Sequence, residues 1–158
     1  MASQVEMRLV ELGLELPPPL ELPARQVSPA PRMVLDGDHA YLSGNGPLWG
    51  SRLVYAGKVG AELSTEDGYQ AARLTALNQL RSLLDAGLDL DRLRWIKVLG
   101  MVNSAPDFHE QPAVINGFSD LVIDLFGEER GTHARSAIGV AALPMGMAVE
   151  VEALCRVG

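Results

Sequence analysis

Ala134-Arg135-Ser136-Ala137-Ile138, then Leu143-Pro144, then Val149-Glu150-Val151-Glu152-Ala153: these pieces of the C-terminal quarter set out the architecture of the chain. The first is an apolar strand, the second a turn that holds Pro144 and Gly146. In the third, apolar and acidic residues alternate at the period of a half-buried strand. Arg135 opens the first strand and Glu150 lies early in the second. A permanently charged guanidinium and a carboxylate would then face one pocket, across a hairpin or across a boundary between subunits. A solvated sheet face carrying a weak surface ion pair is the alternative that the local pattern allows.

Working outward, Leu93 to Val102 reads as a strand with Ile96, Val98, Gly100 and Val102 on one face and Trp95, Lys97, Leu99 and Met101 on the other. Apolar residues on both faces predict that each is at least partly covered. Two helices flank it. Ser64 is placed to cap the first, with Glu66 and Asp67 in its opening turn and Gly87 at its end. Tyr69, Ala72, Ala76, Leu80, Leu83 and Leu84 form its apolar stripe, with Asn78 alongside as a helix–sheet hydrogen bonder. Pro112 starts the second, Gly127 ends it, and Val114, Phe118, Leu121, Val122, Leu125 and Phe126 supply its buried surface.

Met33 to Leu35 and His39 to Leu42 are short strands joined through Asp36-Gly37-Asp38, a strong hairpin signal. Gly44, Gly46, Pro47 and Gly50 break regular structure after them, and Leu53 to Ala56 is a further strand candidate. Residues 1–31 are set apart as an N-terminal helix (Val5, Leu9 and Leu12, stopped at Gly13) and a proline-rich arm that packs on the domain formed by residues 32–158. The order is that of an α+β fold, a mixed β-sheet with two helices on one face. No third layer remains for the other face, so self-association is expected to cover it.

Composition narrows the function. The chain has 158 residues, one domain by length, and a formal net charge of −7. That charge offers no general attraction to phosphates, so nucleic acid is an unlikely partner. No apolar run approaches a membrane span, and Glu6, Arg8, Glu11 and Glu15 interrupt any signal-peptide core. Cys155, the one cysteine, fits a reducing cytoplasmic setting and reads as a small core residue rather than a nucleophile. Histidines at 39, 109 and 133 lack ligand-like spacing, so no metal and no other cofactor is expected.

These residues together resemble the YjgF/RidA (endoribonuclease L-PSP-like) family, in a longer divergent branch. The blocks that carry the resemblance are Leu42-Ser43-Gly44-Asn45-Gly46-Pro47, Gly57-Lys58-Val59-Gly60, the helix from Ala71 to Leu88 with the strand after it, Val102-Asn103-Ser104-Ala105-Pro106, Asp107-Phe108 with Ile115-Asn116, and the C-terminal stretch quoted above. They occur in the family's order between Arg32 and Arg156.

The resemblance implies a chorismate-mutase-like fold and a homotrimer with clefts between subunits. It also implies a cytoplasmic hydrolase, a deaminase that converts enamines and imines bearing a carboxylate to 2-oxo acids and ammonia. Arg135 would match the arginine that grips the substrate carboxylate, and Glu150 the glutamate that handles the attacking water. Ser43, Gly44, Asn116 and the backbone at Ala137 would line the substrate. His133, two residues before Arg135, would share its side of the strand and is a possible proton donor. Two departures matter. Deaminase members carry a cysteine where Ala137 stands here, and a tyrosine upstream of the Ser-Gly pair that the stretch 28–32 lacks. The alternatives are a trimer that binds small carboxylates without turnover, or an endoribonuclease.

Overall fold

A computed structural model describes residues 3–158. The elements in chain order are α1 (Gln4–Glu11), β1 (Met33–Asp36), β2 (His39–Asn45), β3 (Leu48–Trp49), β4 (Arg52–Leu53), α2 (Thr65–Asp85), β5 (Leu93–Asn103), α3 (Gln111–Gly131), β6 (Ala134–Val140) and β7 (Val149–Val157). Five strands make one mixed sheet in the order β1-β2-β7-β5-β6, and β3 pairs only with β4. All neighbours in the large sheet are antiparallel except β5 and β6, which run parallel through the α3 crossover. Helices α2 and α3 cover one face. The fold is therefore the α+β arrangement expected, with the helices on one side of a mixed sheet.

The helices form where local chemistry favours them. Ser64 accepts from the Asp67 amide while the Asp67 carboxylate accepts from the Ser64 amide, a reciprocal cap worth about 1 kcal/mol. The same device opens α1 with Ser3 and Glu6. Alpha-1 buries Val5 and Leu9, and the Asp91 carboxylate accepts from the amides of Gln4 and Val5, which ties the start of the helix to the domain. Helices α2 and α3 cross closely because Gly117 has no side chain: a Cβ there would lie 2.0 Å from the Tyr69 carbonyl oxygen. Gly127, at φ 74° and ψ 167°, ends the main run of α3 as expected, and a separate short helical turn follows it to Gly131.

Beta-5 departs from simple alternation. Trp95 pairs with Cys155 and Lys97 with Leu154, so Ile96 is an extra residue, a β-bulge. The bulge resets the phase. Trp95 joins Val98, Gly100 and Val102 on the helix side, rather than lying opposite them as the alternation of the sequence predicts. It is fully buried, edge-on to Phe118 and Phe126 at centroid distances of 5.5 and 5.8 Å. Cys155 is likewise completely buried, and burial pushes its thiol well above the usual range.

Two other expectations need correction. Ser43 and Gly44 do not sit in a loop after β2 but inside it, where the pairing with β7 shifts between Leu42 and Asn45. The strand foreseen over Leu53 to Ala56 reduces to Arg52–Leu53, with Ala56 making a single bridge to Met147. Among the described residues no helix or second sheet covers the sheet's other face. Val34 and Tyr41 are half exposed there, and Ile138 is nearly so. No helix of the described residues is long and apolar enough to cross a membrane.

Candidate functional site

Beta-6 and β7 are not a hairpin: β5 lies between them. Arg135 is in register with Val98 and faces α3, whereas Glu150 is in register with Met101 and faces the uncovered side. The single chain thus separates the two candidate residues. What it builds instead is a pair of polar sites, one at each.

The first lies where the edge strand β6 meets α3. Arg135 donates from Nη1 to Asn116 Oδ1 at 2.9 Å and to Ser119 Oγ at 3.1 Å, and from Nη2 to the Pro112 carbonyl at 3.4 Å. Asn116 and Ser119 are three residues apart on α3 and so share its face. His133 continues the chain. Its Nδ1 lies 2.6 Å from the Gly131 carbonyl, which can only accept, so Nδ1 carries the proton and Nε2 accepts from Ser119 Oγ at 2.9 Å. Burial holds His133 below its ordinary pKa; the Gly131 bond opposes this and the nearby Arg135 charge adds to it. His133 is therefore a neutral ring whose two nitrogens are both committed. Arg135 is half buried, with its pKa lowered by that burial and supported by Asp120, but no carboxylate pairs with it directly. Ala137 follows on the same face, opposite Gly100, packed against the core.

The second is a cleft of about 460 Å³ over the β2–β7 junction. Ser43, Gly44 and Glu150 line it together with Arg32, Asn45, Met145 and Met147, and residues between Leu20 and Pro31 form its outer wall. The Glu150 carboxylate occupies the space that a side chain at residue 44 would need: a Cβ on Gly44 would come within 2.4 Å of Oε1. Burial raises the pKa of Glu150 above the usual carboxylate value, and the neighbouring Glu152 raises it further. A carboxylate so placed binds a proton more readily than a solvated one, as a group that accepts a proton from water must. The Ser43 hydroxyl donates to the Pro31 carbonyl at 2.7 Å and keeps its lone pairs for another donor. Met145, in the turn before β7, has φ 60°, an uncommon conformation for a residue with a side chain.

Beneath the cleft runs a buried polar network. Gln79 Nε2 donates to the carbonyls of Ser43 and Val151, so its Oε1 must accept, and does so from Asn45 Nδ2 at 2.9 Å. Asn45 therefore turns Oδ1 outward, where Arg32 Nη1 donates to it at 3.3 Å. Asn78 holds the same region by donating to the carbonyls of Gly46 and Leu48.

The candidates named from sequence thus fall into two groups: Arg135, Asn116, Ala137 and His133 in one, Glu150, Ser43 and Gly44 in the other. Ser119, Arg32, Asn45 and Gln79 were not among them. The i, i+3 spacing of Asn116 and Ser119, and the polar run Thr75, Asn78, Gln79 and Ser82 within an otherwise apolar helix face, are the signals that point to this polar chemistry.

Comparison with known proteins agrees with this architecture. The profile of the family described as "YjgF/chorismate_mutase-like, putative endoribonuclease" matches residues 6–157, and the chain belongs to that family. It is 42% identical to Protein TCP17 of Trypanosoma cruzi over 154 residues, 97% of this chain and 94% of the relative. Among solved structures, Atu1372 of Agrobacterium tumefaciens, a protein of unknown function, is 35% identical with a TM-score of 0.86, over 98% of this chain and 93% of that one. A protein of Shewanella oneidensis described as a "putative endoribonuclease" is 30% identical with a TM-score of 0.88, over 99% of this chain and all of that one. Escherichia coli TdcF, solved with bound serine, is 23% identical and shares the fold at a TM-score of 0.55, over 84% of this chain and 90% of that one.

Proposed function

We propose that the protein is a homotrimeric hydrolase that converts carboxylate-bearing enamines and imines to 2-oxo acids and ammonia, in clefts where two subunits meet. The single observation that carries this reading is the division of the site. Arg135 stands on the edge strand β6, held out by Asn116 and Ser119, while Glu150 waits in a cleft on another face of the same chain. A neighbouring subunit that covers the exposed sheet face would bring one chain's arginine to the other's carboxylate. The apolar surface at Val34, Tyr41 and Ile138 supplies a reason for such contact.

In this mechanism Arg135 binds the substrate carboxylate through its planar fork, already oriented before substrate arrives. Glu150 accepts a proton from water as that water attacks the imine carbon. That proton passes from Glu150 to the imine nitrogen, which gives the neutral carbinolamine. Glu150 then carries the hydroxyl proton to the same nitrogen, so that ammonia leaves as the C–N bond breaks and the 2-oxo C=O forms. His133 takes no proton here; it orients Ser119, which in turn steadies Arg135. TdcF, whose structure holds an amino acid, lends support to a ligand of that size and charge. The test is 2-oxo acid release in a coupled assay in which a serine or threonine dehydratase supplies the short-lived imine. Wild type should accelerate release and Arg135→Ala should not. No acceleration by the folded wild type would refute the reading.

Ala137 favours a second reading. Where deaminase relatives carry a thiol, this site offers only a methyl group and a backbone N–H, which suits binding without turnover. A carboxylate that raises the melting temperature yet is recovered unchanged would support it.

A further inference from the structure

Arg32 is the one cation among the residues lining the Glu150 cleft, and nothing in the proposed reaction uses it. Among the described residues it makes no salt bridge. Its hydrogen bond is to a neutral amide, Asn45 Oδ1, at 3.3 Å. Asp85 is near enough to favour its charge but is itself bonded to Arg81 through Nε and Nη2. A guanidinium has five donors, and leaving most of them half buried without a partner is costly. The network beneath also fixes where it points. Because Gln79 must accept from Asn45, Asn45 can offer Arg32 only an oxygen, and the guanidinium is held at the cleft by a group that cannot neutralise it.

The cleft has more room than the smallest imine needs. Its volume, about 460 Å³, falls in the range of sites that enclose ligands of many more atoms, roughly 300–1,000 Å³. Its walls also include Leu20, Leu22, Val27, Met145 and Met147, suited to methylene groups.

We propose that Arg32 receives a second carboxylate, at the far end of the ligand's side chain, so that the substrates of this cleft are imines of dicarboxylic amino acids. This rests on the deaminase reading above for the first carboxylate, which Arg135 of a neighbouring subunit would hold. The ligand then lies across the cleft with its imine carbon near Glu150, its methylenes against the apolar wall and its distal carboxylate on Arg32. Arg32 is here a specificity residue rather than a catalytic one.

The experiment is calorimetric titration of the intact protein with two stable product-like probes, 2-oxoglutarate and 2-oxobutanoate. The expected result is a preference of about tenfold or more for 2-oxoglutarate in wild type, the scale of a charge-assisted pair. In Arg32→Met, which keeps an unbranched apolar stem, that ratio should collapse towards one, and Arg32→Lys should keep part of it. Equal affinities in wild type, binding of neither probe, or an unchanged ratio in Arg32→Met would each overturn the proposal. The wild-type ratio decides even if Arg32→Met fails to fold. Arg135→Ala separates this proposal from the reading beneath it. Loss of both probes in that variant supports both. Retention of both there, with the ratio still collapsing in Arg32→Met, would sink the deaminase cleft and leave Arg32 as a carboxylate site.

Discussion

The two polar regions of this molecule are built on different principles. At β6 and α3 the arrangement is a relay of neutral groups: His133 bonds Ser119, Ser119 bonds Arg135, and Asn116 shares the guanidinium. Three hydrogen bonds to Asn116, Ser119 and the Pro112 carbonyl position the Arg135 guanidinium at the edge of the sheet, and its Nε is left without a partner among the described residues. At β2 and β7 the arrangement is a cavity, in which the Glu150 carboxylate fills the place of a missing side chain at Gly44 and burial disfavours its ionised form. Under the proposed reaction the first region would grip the substrate carboxylate and the second would exchange a proton. In that proposal neither region would suffice alone, which is why it calls on a second chain.

Substitutions should separate the two contributions. The largest effect belongs to Glu150→Gln, which keeps shape and removes the base. The rate of imine hydrolysis should fall by roughly 10²–10⁴, as expected for loss of general base catalysis. In wild type the activity should rise with pH through a limb lying above the ordinary carboxylate value of 4.5, because the proposed reaction uses ionised Glu150 and its pKa is raised. Glu150→Gln should lose that limb. Gly44→Val attacks the same group from the other side. It should displace the carboxylate and depress the rate nearly as far, while circular dichroism shows the fold retained.

Arg135→Ala removes the grip. Truncating one partner of a buried charged pair costs about 2–5 kcal/mol, so affinity for a small 2-oxo acid should fall by more than tenfold, measured by titration. Ser119→Ala is milder, since it breaks one link of the relay. Ser119 positions Arg135 without touching substrate, so KM should rise about 3- to 10-fold with kcat little changed, the scale of one hydrogen bond. An equal fall in kcat would argue that the serine does more than orient.

The smallest effect is a pH dependence of stability. The fold favours neutral His133, whose pKa is lowered from 6.5 chiefly by burial. The stability it contributes is present above 6.5 and is lost as pH falls through the lowered value. The melting temperature of wild type should therefore drop on acidification more than that of His133→Gln.

Much of the fold could be read from the sequence because each signal there was local. Ser64 and Asp67 announced the start of α2, Pro112 the start of α3, and the apolar alternation of residues 149–157 gave β7. The phase of β5 could not be read, since Trp95 and Leu99 are both apolar and nothing in their spacing marks Ile96 as the bulge. From sequence Gly44 reads as a loop residue, because glycine usually breaks strands. Its purpose is steric, and only the position of the Glu150 side chain reveals it. Nothing local marks Arg32, since a basic residue in an extended segment is ordinarily solvated. Its significance lies in the neighbouring amides, whose orientation Gln79 fixes. The sequence placed Arg135 and Glu150 near each other along the chain, but β5, inserted between their strands, keeps them apart in space.

The proposed reaction needs Arg135 from one chain and Glu150 from another. Arg135→Ala and Glu150→Gln proteins, each nearly inactive, should be mixed, dissociated and reassociated, and assayed for 2-oxo acid release. Random reassembly gives about one cleft in four an intact pair drawn from different subunits. The account predicts recovery of about a quarter of wild-type activity. Mixed oligomers that form but stay as inactive as their parents would contradict it.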